Sequence, residues 1–140
     1  MSVEANKSNA IRLRQEGWNQ GNLDTINELI SPDYYYRDFQ GKEFKGPEGY
    51  SLMVTNWRKA FPDCHYSTDL IIAEGDWVSE QTSFKATFKA KISNFEPTGK
   101  EVNWKASVFS RWVDGKCVET VQFIDYLNVF RQMGIKSPGL

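Results

Sequence analysis

The chain has 140 residues, a length that suits one domain with a single hydrophobic core. Seventeen Lys plus Arg residues against eighteen Asp plus Glu give a formal net charge of −1, and no basic cluster stands out, so nucleic acid is not an expected partner. No stretch approaches the roughly 18 apolar residues of a membrane span, and the first residues lack the apolar core of a signal peptide, which predicts a cytoplasmic protein.

The amino-terminal half of the chain predicts three helices and one strand. Apolar residues recur at helical spacing, Gly21 and Asn22 separate the first two helices, and Pro47 opens the third at its favoured first-turn position. An aromatic run centred on Tyr35 favours a strand. In chain order, the predicted elements are helices at 3–20 and 23–30, a strand at 34–39, a turn at 41–42 and a helix from 47 to 60.

The carboxy-terminal half changes to a period of two, which is typical of strands. Turn-forming residues between the runs predict an antiparallel meander. The predicted strands are 64–72, 77–92, 101–113 and 117–124, followed by a helix at 127–134 and a tail at 136–140. Helices first and long strands afterwards indicate an α+β domain of residues 1–140, in which the helices pack in a strongly curved antiparallel sheet around one internal pocket.

Residues that commonly hold metals are sparse in this chain. Cys64 and Cys117 form neither a CxxC pair nor a disulfide framework, and His65 is the one histidine. The sequence has no Asp-rich calcium loop. We therefore expect no structural disulfide and no metal.

Nine short phrases occur in an order and spacing that cover nearly the whole chain. Each phrase alone is an ordinary turn or helix cap, so the information lies in their order. The phrases are GNLD at 21–24, SPD at 31–33, GPEG at 46–49, AFPD at 60–63, AEGD at 73–76, PTGK at 97–100, DGK at 114–116, VE at 118–119, and the segment from Asp125 to RQMG at 131–134. With this order the chain resembles the SnoaL-like polyketide cyclases, a family of ester cyclases with the nuclear-transport-factor-like (NTF2-like), or cystatin-like, barrel cone fold.

The resemblance implies an enzyme that needs neither a metal nor an organic cofactor. In this family a pocket carboxylate removes an acidic proton from a polyketide ester, pocket hydrogen bonds stabilise the enolate, and aldol closure follows. A largely apolar cavity suits that chemistry, because burial raises the pKa of a carboxylate towards the pH at which it acts as a base. The implied partners are a small hydrophobic molecule and a second copy of the chain.

The positions that matter most for family catalysis differ in this sequence. The family's His-Trp-Asp segment in the last strand corresponds to residues 120–122, which places Gln122 at the position of the catalytic Asp. An amide cannot act as that base, although it can hold a carbonyl, a water or a ligand. The family's first-strand His corresponds to Arg37, which could pair with an anionic group, and its Gly-Thr-His phrase corresponds to 86–88, where Phe88 replaces the His.

Two carboxylates are candidates for the missing base. Asp38 follows the tyrosine run, where it could reach the pocket or form an exposed ion pair with Arg37. Glu80 shares a mainly small or apolar strand face with Val78 and Thr82. It could therefore be a pocket base or a rim residue in water.

Further positions are candidates for the pocket wall. If Gln122 points inwards, alternation sends Thr120 with it, and the amide is either a polar pocket residue or a satisfied core amide. Trp57 and Trp104 could form flat walls for a ring-shaped ligand or belong to plain core, as we expect for Trp18.

Two functions are compatible with these residues. The first is a cyclase or isomerase acting on a small hydrophobic carbonyl substrate, with Asp38 or Glu80 as the base and Gln122 polarising the carbonyl. The second is a non-catalytic small-molecule-binding protein that retains the cone but has lost its base. Fold alone cannot separate them. In either case the family pairs through the outer face of the sheet, and outward-facing Phe109, Val121 and Phe123 predict a homodimer interface there.

Overall fold

The computed structural model describes residues 2–38 and 40–134. Phe39, the last residue of the strand predicted at 34–39, and the tail predicted at 136–140 lie outside the described residues. Among the helices of the two described ranges, none combines the length and the apolar character needed to traverse a bilayer.

The helices begin where the sequence supplies caps. Ser2, Asn22 and Asp125 each accept a hydrogen bond from a backbone N–H in the first turn of their helix, and Pro47 lies in the first turn of the third helix. The helices of the described residues are α1 (Val3–Arg12), α2 (Leu23–Leu29), α3 (Gly46–Ala60) and α4 (Tyr126–Gln132).

The long helix predicted at 3–20 consists of two different structures in succession. At its carboxy-terminal end α1 continues into a π-helical segment, Leu13–Trp18, which we call the π segment. Short π-helical turns occur frequently at functional sites. Gly17 allows α2 to pack closely on this segment, because a Cβ at that position would lie 3.3 Å from the side chain of Ile26.

Six strands form one curled, unclosed sheet in the order β2-β1-β6-β5-β4-β3. The strands are β1 (Ile30–Arg37), β2 (Glu43–Lys45), β3 (His65–Glu74), β4 (Trp77–Thr87), β5 (Glu101–Val113) and β6 (Lys116–Ile124). Strands β3 to β6 form the predicted antiparallel meander. The α+β class is therefore confirmed, but the sheet is mixed, because β1 pairs with β6 in parallel.

Two strand boundaries differ from the prediction for identifiable reasons. The second helix, predicted to reach residue 30 because Ser31 and Pro32 form a helix-stop sequence, ends at Leu29. Ser31 and Pro32 lie inside β1, where the register with β6 is irregular and the missing N–H of proline is tolerated. Strand β4 ends at Thr87, before the predicted residue 92, because the N–H of Lys89 donates to the carbonyl of Ala60 at the end of α3.

An aromatic cluster fills the core between α3 and strands β3 to β5. Phe84 lies at its centre, and its ring stacks on Trp104 with a centroid distance of 4.7 Å. The other rings around Phe84 are those of Trp57, Phe61 and Tyr66, at 4.9 to 5.6 Å. This dense packing leaves the remaining interior, beside β1 and β6, as the place for a cavity.

Candidate functional site

A small cavity lies between the helices and the inner face of the sheet. Its walls come from α1, the π segment, α3 and strands β1, β4, β5 and β6. Its volume is about 30 Å³, which is room for about two water molecules. The polar residues and tyrosines that line it are Arg14, Tyr34, Tyr36, Tyr50, Glu80, Ser110, Thr120 and Gln122.

Strand register aligns the polar groups of the sheet in rows. Glu80 pairs with Val108 across β4 and β5, and Val108 pairs with Gln122 across β5 and β6. Side chains of directly paired residues point to the same face, so the three share one row on the cavity wall. Glu80 and Gln122 are two strands apart, or about 10 Å between their Cα atoms. The next row along the strands carries Ser110 and Thr120.

Glu80 is a buried carboxylate with a buried counter-charge. It is 2% exposed, and its Oε2 accepts from Nη2 of Arg14 at 3.4 Å. Its Oε1 accepts from the hydroxyl of Thr68 at 3.0 Å. The guanidinium of Arg14 also lies over the ring of Tyr66, 5.1 Å from its centroid. Burial is the largest influence on Arg14 and lowers its pKa, but the charge of Glu80, the neighbouring Tyr50 and Tyr66 and the hydrogen bond to Glu80 together hold that pKa above its ordinary value.

Buried phenols surround this ion pair. Burial raises the pKa of Tyr34, Tyr50 and Tyr66, so at neutral pH each is a protonated donor. The hydroxyl of Tyr50 accepts from Nε1 of Trp18 at 2.6 Å, and the two rings meet edge to face. Burial also raises the pKa of Tyr36 to about 12.

Two of the residues that line the cavity carry a buried polar atom with no hydrogen bond within the described part of the chain. The atoms are Nε of Arg14 and the hydroxyl oxygen of Tyr34, and both are buried. The hydroxyl of Thr120 lies near that of Tyr34 and partly offsets the effect of burial on its pKa, but the approach does not reach hydrogen-bond geometry. Unpaired buried donors are rare in folded proteins, so two on one cavity are an unusual arrangement.

Comparison with known proteins shows which family this chain belongs to. The family model of the SnoaL-like polyketide cyclases matches residues 8–133. The chain belongs to the SnoaL-like polyketide cyclase family. Two curated relatives are the aklanonic acid methyl ester cyclases DnrD of Streptomyces peucetius and AcmA of Streptomyces galilaeus. DnrD is 26% identical to this SnoaL-like chain over 131 residues, which cover 91% of this chain and 90% of DnrD. AcmA is 25% identical over 131 residues, which cover 92% of this chain and 91% of AcmA.

Solved structures share the cone fold of this SnoaL-like chain. AclR of Streptomyces galilaeus, a candidate hydroxylase, is 27% identical with a TM-score of 0.81, covering 98% of this chain and 89% of its own. A candidate SnoaL-like polyketide cyclase of Jannaschia sp. CCS1 has a TM-score of 0.87 at 21% identity, covering 96% and 95%. A protein of Catenulispora acidiphila with a ketosteroid isomerase-like fold has a TM-score of 0.76 at 15% identity, covering 93% and 97%.

The structure brings three of the sequence-predicted residues of this SnoaL-like chain to the cavity. Glu80, Thr120 and Gln122 all line it. Burial of Glu80 excludes the alternative that it is a rim residue in water, because its side chain is only 3% exposed. Whether these residues serve catalysis or binding stays a prediction.

The other predicted residues lie elsewhere. Arg37 is on the surface, where it pairs with Glu43 at 2.8 Å. The carboxylate of Asp38 accepts from the backbone N–H groups of Gln40 and Lys42 and closes the turn between β1 and β2. Of the aromatic candidates, Trp104 and Phe88 belong to the buried core, Trp57 is half-buried and packs against it, and none of the three lines the cavity.

Sequence reasoning missed Arg14 and Tyr34. Arg14 stands four residues after Ala10 and four before Trp18, so it shares the buried side of the helical segment with apolar residues. That position was the available signal for a buried cation. In the described ranges no group of three or more His, Cys, Asp or Glu side chains could hold a metal ion, and Cys64 and Cys117 are free and buried.

Breaking the buried ion pair from one side should destabilise the fold. Arg14→Met leaves the charge of Glu80 buried with Thr68 as its partner, which should lower the free energy of unfolding by about 3–5 kcal/mol in chemical denaturation. The double variant Arg14→Met, Glu80→Leu removes both charges and should recover most of the loss.

The exposed pair of Lys85 and Glu101 is the matched control, since its loss should change stability little. A loss for Arg14→Met no larger than that of Lys85→Met would contradict a charged, desolvated Glu80.

Proposed function

We propose that this SnoaL-like protein catalyses cofactor-independent proton transfer and aldol cyclisation on a small hydrophobic carbonyl compound, with Glu80 as the base. The observation that carries the proposal is a buried carboxylate on the cavity wall, in the same row as Gln122. Gln122 stands where the family has its catalytic Asp. The catalytic base would therefore lie on β4, at Glu80, in place of the family position on β6, at Gln122.

The chemistry needs only groups that line the cavity. Glu80 would take the proton from a carbon beside a carbonyl, and the amide of Gln122 would donate a hydrogen bond to the resulting enolate oxygen. The enolate carbon would then form a bond with a second carbonyl carbon of the same molecule. The alkoxide left by that step takes the proton back from Glu80, which restores the carboxylate.

The relatives suggest the first substrate to try. DnrD and AcmA are cyclases of aklanonic acid methyl ester, and this chain aligns with about nine-tenths of each. AclR, with a TM-score of 0.81, is a candidate hydroxylase, so similar cones carry different chemistry and the reaction must be tested directly.

Replacing the carboxylate of Glu80 should abolish proton transfer. With aklanonic acid methyl ester in D2O, we expect NMR to show exchange of the acidic C–H and formation of the cyclised product, and Glu80→Gln should slow both by roughly 10²–10⁴-fold. Glu101→Gln, an exposed carboxylate on β5, is the matched control and should leave both rates unchanged. Full exchange in Glu80→Gln would contradict this assignment of the base.

A ligand-binding role without chemistry is the alternative. It is favoured by the amide at position 122 and by the ion pair of Glu80 with Arg14, which already engages one oxygen of the only carboxylate among the described residues that line the cavity. Native mass spectrometry separates the two functions. A small molecule retained through purification, with no exchange or product in the assay above, would support binding.

We also propose that the outer face of the sheet pairs with a second copy of the chain. Phe109 of β5 pairs directly with Val121 of β6, so the two side chains lie side by side on the outer face. Phe123, two residues further along β6, is 65% exposed. Exposed apolar patches of this kind mark interaction sites. The apolar residues of this face, all 37% to 65% exposed, are Leu70, Ile72, Trp77, Phe109, Val113, Val121 and Phe123.

A charge in this patch should separate the two copies. At micromolar concentration the parent should sediment with twice the chain mass of 16.2 kDa, and Phe123→Asp should sediment as a monomer. Leu52→Asp is the control, because Leu52 is 50% exposed on α3, away from the outer face. A monomeric parent would contradict the proposal.

A further inference from the structure

We infer that Arg14 and Tyr34 form an oxyanion-binding pair, which makes the cavity selective for ligands whose oxygen is, or becomes, negatively charged. The inference deepens the proposed function and rests on it only in identifying that oxygen as the one of an enolate. The observation behind it is that the two residues with the unpaired buried donors described above line the same cavity.

Arg14 retains binding capacity despite its ion pair with Glu80. The contact between Nη2 and Oε2 is 3.4 Å, long for a charge-assisted hydrogen bond, and it engages one nitrogen of the guanidinium. Nε keeps its proton and has no acceptor within the described residues. The ring of Tyr66 supports the guanidinium from one face, so the group is held in place for a ligand.

Tyr34 supplies a second, neutral donor. Its side chain is 1% exposed, and its ring packs edge-on against Tyr50 with a centroid distance of 5.2 Å. The rigid ring therefore fixes a hydroxyl that makes no hydrogen bond in the described part of the protein. A hydroxyl that is unpaired in this state and buried at a cavity is suited to a ligand oxygen.

Charge balance explains why the ligand oxygen should be anionic. When Glu80 takes a proton from a carbon acid, its carboxylate becomes neutral and the ligand oxygen becomes negative. The sum of the charges in the cavity stays constant, and Arg14 exchanges one anionic partner for another. An ion that enters already charged meets Glu80 as well, so its binding should improve when Glu80 is neutralised.

A pair of small probes tests this selectivity in the full chain. The enolate of 1,3-cyclohexanedione is ionised at pH 7.5, and 3-methoxycyclohex-2-en-1-one is its neutral methyl ether. Calorimetry should show the parent binding the enolate more tightly than the ether, and Glu80→Gln should bind the enolate roughly tenfold more tightly still. Arg14→Lys keeps a charge opposite Glu80 but lacks Nε, and it should weaken enolate binding roughly tenfold while leaving the ether unchanged.

Tyr34→Phe keeps the ring and removes only the hydroxyl. It should weaken enolate binding roughly tenfold, and its Tm should be equal to or above that of the parent, because the hydroxyl has no partner to lose. The matched controls are Arg12→Lys, at the end of α1 two residues before Arg14, and Tyr35→Phe, next to Tyr34 on β1. The side chains of Arg12 and Tyr35 bond to exposed glutamates. Both variants should leave the two dissociation constants unchanged.

Equal affinity of the parent for enolate and ether, or equal losses in the variants and their controls, would overturn the inference. A clear fall in Tm for Tyr34→Phe would show that the hydroxyl is structural, which also counts against it. Loss of C–H exchange in Glu80→Gln with no dependence of enolate binding on Arg14 or Tyr34 would leave the proposed base intact and reject the oxyanion pair alone.

Discussion

A charged carboxylate inside a protein requires a fixed counter-charge, and in this cone the requirement ties the helices to the sheet. Glu80 comes from β4, Thr68 from β3 and Arg14 from the π segment, so three elements meet at one charge. Leaving Glu80 alone would cost more than most single contacts contribute. The π segment must therefore hold Arg14 against the sheet, and the contact of Trp18 with Tyr50 lies in the same layer. Much of the cavity wall is a consequence of this one interaction.

The fold was predictable where the local pattern and the final packing agree. Strand β5, Glu101–Val113, has the predicted bounds, because thirteen residues of strict alternation between two strands leave little choice. The start of β1 was not predictable, since Ser31 and Pro32 carry a helix-stop signal that a register irregularity overrides. The π segment, Leu13–Trp18, has no signature either, because a wider helical turn depends on packing more than on residue type.

The candidate site was predictable in part for similar reasons. Alternation put Glu80 on a mainly small or apolar strand face, the family resemblance suggested an inward Gln122, and both residues line the cavity. Strand alternation could not place Arg14, which lies on a helical segment and whose partner is 66 residues away. Arg37 was predicted as a pocket residue because it corresponds to a family position, but it pairs with Glu43 of the edge strand β2 and lies at the surface. The face on which a strand residue lies can be predicted from a period of two, whereas a contact between a helix and the sheet can be identified only from the tertiary structure.

A cavity of about 30 Å³ holds about two waters, so any larger ligand would have to displace part of the wall. The side chains of Tyr36 and Met53 line it from β1 and α3, and a flexible methionine gives way more easily than the packed rows of the sheet. The dissociation constant observed for any ligand is then the intrinsic one divided by the open fraction, and an open population of about 1% weakens binding about a hundredfold. Ligands with the same oxygen chemistry would then differ in affinity by the amount of wall that each displaces, so the cavity would select by size as well as by charge.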